Sequence, residues 1–102
     1  MAVTRSFKSM VEDRLARDPG FREALLRESV ETMLAGDMET GKAVLRDYIK
    51  ATIGFTALSE SIGTPSKSLI RMFGPKGNPN AHNLFKVIGH LQKHAGIQLH
   101  VS

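Results

Sequence analysis

The sequence predicts an all-α protein organised around a helix-turn-helix and closed by one short C-terminal strand. Three observations predict it. Residues 55–73, Phe-Thr-Ala-Leu-Ser-Glu-Ser-Ile-Gly-Thr-Pro-Ser-Lys-Ser-Leu-Ile-Arg-Met-Phe, read as two short helices around a tight turn. The segments on either side repeat apolar residues at helical spacing between cap residues such as Asp, Asn and Gly. Only 97–101, Ile-Gln-Leu-His-Val, alternates apolar and polar residues as a strand does.

A first helix is expected over 6–16, with Phe7, Met10, Val11 and Leu15 as its apolar positions. Asp18-Pro19 opens a second over 19–35, because aspartate caps well and proline suits a first helical position whose N–H has no partner. Phe21, Leu25, Val30, Met33 and Leu34 form its apolar stripe, opposite-sign charges such as Arg27 and Glu31 its solvated face, and Gly36 its end. Asp37 caps a third helix over 38–53, with Val44, Leu45, Tyr48, Ile49 and Thr52 turned inward. On that helix Lys42, Arg46 and Lys50 fall on one polar line.

Within the hairpin, Gly63 supplies the positive φ of a sharp helix end. Thr64 is the expected N-cap and Pro65 the first residue of the second helix, 65–73. Leu58, Ile62, Leu69 and Met72 fall on the buried faces, and Ser59 is small where the two helices approach. A loop dense in turn formers, 74–80, follows. Asn80 caps a last helix over 81–94, with Leu84, Phe85, Val87, Ile88 and Leu91 inward and Gly96 at its end.

The chain of 102 residues, 41% of them hydrophobic, suits one domain with a real core. Three segments are distinguished: a helical extension over 1–36, a helix-turn-helix domain over 37–96, and a strand over 97–102 that supplies a dimer contact. A lone strand needs a partner for its N–H and C=O groups. The same strand of a second copy is the simplest, with another protein, or the domain itself, as the alternatives. The expected dimer residues are Ile97, Gln98, Leu99, His100 and Val101.

Cysteine is absent, which excludes disulfides, thiolate metal sites and cysteine nucleophiles. There is no run of about 20 apolar residues and no apolar core of a signal peptide at the N-terminus, so a soluble, cytoplasmic protein without membrane contact is expected. The formal net charge is +4, unevenly spread. Residues 1–40 hold six Lys/Arg against eight Asp/Glu, and residues 41–102 hold eight against two. The basic half contains the hairpin, which suits a phosphate backbone.

Ser66, Lys67, Ser68 and Arg71 stand on the outward face of the second hairpin helix, where a groove-reading helix carries its base contacts. Lys67 and Arg71 suit guanine O6 and N7. The N–H groups of Phe55 and Thr56 at a helix start, with Lys76 and Lys50, are the candidate phosphate contacts. Catalysis finds little support. His90 and His94 are spaced for a metal, but no Glu follows His90 to complete His-Glu-x-x-His; His82 and His100 add no motif. Gly74 to Asn80 is not a phosphate-binding loop, and no Gly-x-Ser-x-Gly elbow occurs, so no enzyme, metal or cofactor is expected.

The order of two N-terminal helices, Asp-Pro-Gly-Phe, Ala-Leu-Ser-Glu-Ser-Ile-Gly, Lys-Ser-Leu-Ile-Arg-Met-Phe, Gly-Asn-Pro-Asn and Gly-Ile-Gln-Leu-His-Val resembles the small HigA-type antitoxin-like regulators of the Xre/Cro repressor class. The resemblance spans 7–101. It implies a five-helix Xre/Cro-type domain with two extra N-terminal helices, a homodimer on palindromic double-stranded DNA, repression of its own promoter, and a cognate toxin as a further partner. Ser59, Thr64 and Pro65 stand where such regulators more usually carry Ala, an aliphatic residue and a capping Ser. The rival expectation from another class is a protein-interaction module acting through the acidic N-terminal helices or the strand.

Overall fold

The computed structural model describes the backbone of residues 3–96 and the side chains of residues 9–96. Six helices make up this part: α1 Val3–Arg17, α2 Pro19–Leu34, α3 Met38–Ala51, α4 Phe55–Ile62, α5 Ser66–Met72 and α6 Ala81–Ala95. No strand occurs among the described residues, and the expected strand 97–101 lies outside them. The span 37–96 therefore holds four helices, not the five that the resemblance implies.

The caps explain where the helices start. Asp18 Oδ1 accepts from the Phe21 N–H at 3.1 Å, Asp37 Oδ1 from Thr40 at 3.1 Å and Asn80 Oδ1 from Asn83 at 2.8 Å. α3 stops two residues before the expected Ile53. Thr52 leaves helical geometry, and its hydroxyl donates back to the Tyr48 carbonyl at 2.7 Å.

One core joins all six helices: Leu15 from α1, Leu26 and Val30 from α2, Leu45, Tyr48 and Ile49 from α3, Leu58 from α4, Leu69 from α5, and Leu84, Val87, Ile88 and Leu91 from α6. The most extensive pairing is α2 on α3, across the boundary drawn between 36 and 37. Its radius of gyration of 13.3 Å matches about 100 residues packed as one body.

The stripe expected on α2 is rotated. Leu26, Ser29 and Val30 are its buried residues, while Leu34 is 61% exposed. The reason lies on α3, where Gly41 faces Ser29. A Cβ at Gly41 would stand 2.9 Å from the Ser29 carbonyl oxygen and 2.2 Å from Met33 Cγ, so the two backbones meet closely at small residues. Ser29 turns its hydroxyl to the Leu26 carbonyl at 2.8 Å, which satisfies it inside the core. Met10 and Phe85, also expected inward, are 67% and 60% exposed. The apolar side of α6 is covered by Leu84, Val87, Ile88 and Leu91, and Phe85 falls outside that arc. No helix among the described residues is long and apolar enough to cross a membrane.

Candidate nucleic-acid interface

α4 and α5 form a helical hairpin whose bend is made by Gly63. Its φ of 73° and ψ of 24° are left-handed, a conformation that costs a residue with a Cβ, and its N–H donates to the Ser59 carbonyl at 2.9 Å. The start of α5 differs from expectation. Pro65, with φ −56° and ψ 140°, occupies the N-cap place, and the helix begins at Ser66 with no side chain capping it. Proline's fixed φ is compatible with both helix and extended chain; here the turn keeps ψ extended, so Thr64 is not the cap.

Leu58 and Leu69 are fully buried, one from each helix, with Phe73 just beyond α5. The rings of Phe55 and Phe73 lie 6.5 Å apart, tilted by 42°, so the first residue of α4 packs against the residue that follows α5. Ile62 and Met72 pack half-buried against this core, and Ser59 is half-buried at the bend. Leu69 and Phe73, four apart, thus fix the inner side of α5.

The outer side carries Lys67, Ser68 and Arg71, all exposed, with Ser66 half-buried at the helix start. It also carries Ile70, 51% exposed, an apolar group absent from the expected polar set. Its flanking place follows from the inner positions of Leu69 and Phe73, a signal already present in their i,i+4 spacing. Thr56, Lys50 and Lys76 are exposed and Phe55 is half-buried. Among the described residues, none of Lys50, Lys67, Arg71 and Lys76 has a carboxylate in ion-pair reach.

Lys42 departs most from expectation. Instead of joining Arg46 and Lys50 on an open polar line, it is 4% exposed. Its Nζ donates to the carbonyl oxygens of Gly74 at 2.9 Å and Gly77 at 2.6 Å, in the loop after α5. That loop is pressed onto the last turn of the helix: a Cβ at Gly77 would come within 2.1 Å of the Arg71 carbonyl oxygen and 2.3 Å of that of Met72. The Gly77 N–H closes the turn on the Gly74 carbonyl at 3.0 Å. The signal was present in the sequence, since Lys42 lies three and seven residues before Leu45 and Ile49, within the apolar stripe. Arg46 is half-buried, 3.9 Å from the Asp47 carboxylate, and Lys50 alone of the three is exposed.

Three pKa values depart from the usual range. The Phe21 N–H, and then Arg14, hold the Asp18 carboxyl low. The Thr40 hydroxyl and N–H do the same for Asp37. Burial pushes the Tyr48 phenol up, against the nearby Arg22 charge, and its hydroxyl has no hydrogen-bond partner among the described residues. His82 and His94 are exposed and His90 half-buried. No group of three or more His, Asp or Glu among the described residues stands together as a metal site would need; His100 lies outside them.

Comparison with protein families, with curated proteins and with solved structures gives no match in any of the three. What stands is a small all-helical globular protein of six helices among its described residues, with no family identified. Any functional reading rests on the chemistry of the site.

Proposed function

We propose that this protein is a sequence-specific DNA-binding transcriptional regulator, an antitoxin-like autorepressor that reads double-stranded DNA with the helix 65–73. One observation carries the reading. The second helix of a tight hairpin turns Leu69 into the core while leaving Lys67, Ser68 and Arg71 open and, among the described residues, without carboxylates. Lys67 and Arg71 address guanine edges, and Ser66 and Ser68 reach bases or phosphates. Ile70 adds a surface that suits a thymine methyl group. Thr56, Lys76 and Lys50, with the N–H groups of Phe55 and Thr56, hold the phosphate backbone. The protein acts in the cytoplasm as a homodimer paired through 97–101, which sets two reading helices on a palindromic operator. It is not an enzyme and uses no cofactor.

A second reading is favoured by Met10 and Leu34, exposed apolar side chains on the N-terminal helices. They suit a partner protein, a cognate toxin in the antitoxin reading, with little or no DNA binding. Fluorescence anisotropy on the protein's own upstream DNA and on random duplex, at two salt concentrations, separates the two. Operator-selective binding that weakens steeply with salt and is lost in Arg71→Ala supports the regulator. Binding to neither duplex overturns it and leaves the interaction module.

A further inference from the structure

We propose that Lys42 is a positioning residue for DNA binding, a buried latch that holds the loop 74–77 against α3 and so sets where Lys76 and the end of the reading helix meet the phosphate backbone. The inference rests on the DNA-binding reading. Lys42 is too deeply buried to touch DNA itself. Its two hydrogen bonds reach across 32 and 35 residues, whereas the capping and helix-surface side-chain bonds described for this fold join residues at most seven apart.

A buried ammonium without a carboxylate is held only where other groups replace its water. Here the carbonyls of Gly74 and Gly77 do so, at the C-terminal end of α5, where helix carbonyls concentrate negative partial charge. The loop's own bonds, Gly74 N–H to the Arg71 carbonyl at 3.1 Å and Gly77 N–H to the Gly74 carbonyl at 3.0 Å, tie it to itself and to α5, whereas the two Lys42 bonds tie it to α3. Gly77 sits on the backbone of Arg71 and Met72, and a cleft lined by Glu39, Ala43, Arg46, Phe73 and Pro75 opens beside the Lys42 stem, between α3 and the loop. Lys42→Met keeps the stem and removes the donor, leaving the Gly77 carbonyl without its Lys42 bond and the Gly74 carbonyl with the Gly77 N–H alone. The loop then leaves α3 and carries Lys76 with it.

The test is the salt dependence of binding to the protein's own upstream duplex. Lys76→Ala lowers the slope of log K against log salt by about one, the signature of one lost phosphate contact. Lys42→Met is expected to do the same although Lys76 is intact, with about a tenfold loss of affinity. The double variant falls no further, and Lys42→Arg, which keeps the charge and the donors, restores the wild-type slope. A role limited to stability lowers the folded fraction but leaves the slope of the folded protein unchanged, and that result overturns the proposal. So does a double variant whose slope falls by about two, because Lys42 then acts independently of Lys76. If Lys42→Met does not fold, Lys42→Gln, which removes the charge and shortens the reach while keeping a neutral amide donor, carries the same comparison. Wild-type protein that binds no DNA overturns the regulator reading and the positioning role together. A wild type that binds beside a Lys42→Met variant of equal slope and affinity overturns the latch alone.

Discussion

The helices α1 and α2 and the hairpin α4–α5 carry the same kind of basic side chain to opposite ends. In the first pair Arg14, Arg22 and Arg27 each have a partner within the fold, although the buried Arg27 Nε has none among the described residues. Arg14 lies 3.3 Å from Asp18 and 4.9 Å above the Phe21 ring, Arg22 donates to the Leu15 carbonyl at 3.0 Å, and Arg27 lies 2.7 Å from Glu23. In the hairpin Lys67 and Arg71, with Lys76 after it, are exposed and free of carboxylates among the described residues. For Arg14 and Arg27 the difference follows from what stands four residues away along the helix. An acid there occupies the base, and its absence leaves the charge to a partner. A basic residue is available to a ligand by virtue of its neighbours, which net charge does not report.

The largest effect to break this contrast lies in the shared core. Leu15→Ala and Leu58→Ala, one from each region, are each expected to cost about 2–5 kcal/mol in urea unfolding, through a single transition for the whole chain. Two separate transitions would mean that the regions fold apart. Next in size, Arg71→Ala is expected to cost about 1–3 kcal/mol of operator affinity by anisotropy, while Arg27→Ala leaves that affinity unchanged. Equal losses would erase the contrast. A duplex carrying deoxyuridine in place of thymine should weaken wild-type binding by about 1 kcal/mol at the contacted position and leave Ile70→Ala indifferent to the change.

The smallest effects concern the local pairs. Glu23→Gln removes one partly exposed ion pair and should shift stability by only a few tenths of a kcal/mol. The pH dependence is sharper in place than in size. Asp18 and Asp37 have folded pKa values below their ordinary 3.8, so what they add to stability is present above that value and fades as pH falls through the lowered ones. Hydrogen exchange in acid should therefore loosen the first turns of α2 and α3 before α4 and α5, whose cap positions are Gly54 and Pro65. Loss of protection in the hairpin first would contradict this assignment.

Much of the fold was legible because its determinants are local. Asp18, Asp37, Asn80, Gly63 and Gly96 mark helix ends through bonds that reach three or four residues, and a reader of the chain sees both partners at once. The outward place of Lys67, Ser68 and Arg71 was legible for the same reason, since Leu69 fixes the inner side of a seven-residue helix. Thr64 and Pro65 were not, because proline's φ fits two backbones and the turn chose between them. Residues 97–101, where a strand was expected, lie outside the described residues.

The sequence by itself determined six helices, the caps Asp18, Asp37 and Asn80, the hairpin bend at Gly63 and the basic bias of the second half. Only the tertiary structure decided that Ser29 and Leu26 lie inside while Leu34, Phe85 and Ile70 lie outside, and that Lys42 is buried against the loop after α5. The physical reason is reach. Caps and helical periodicity act within one turn of chain, whereas the burial of Lys42 depends on carbonyl groups 32 and 35 residues away, whose position exists only once the helices have packed.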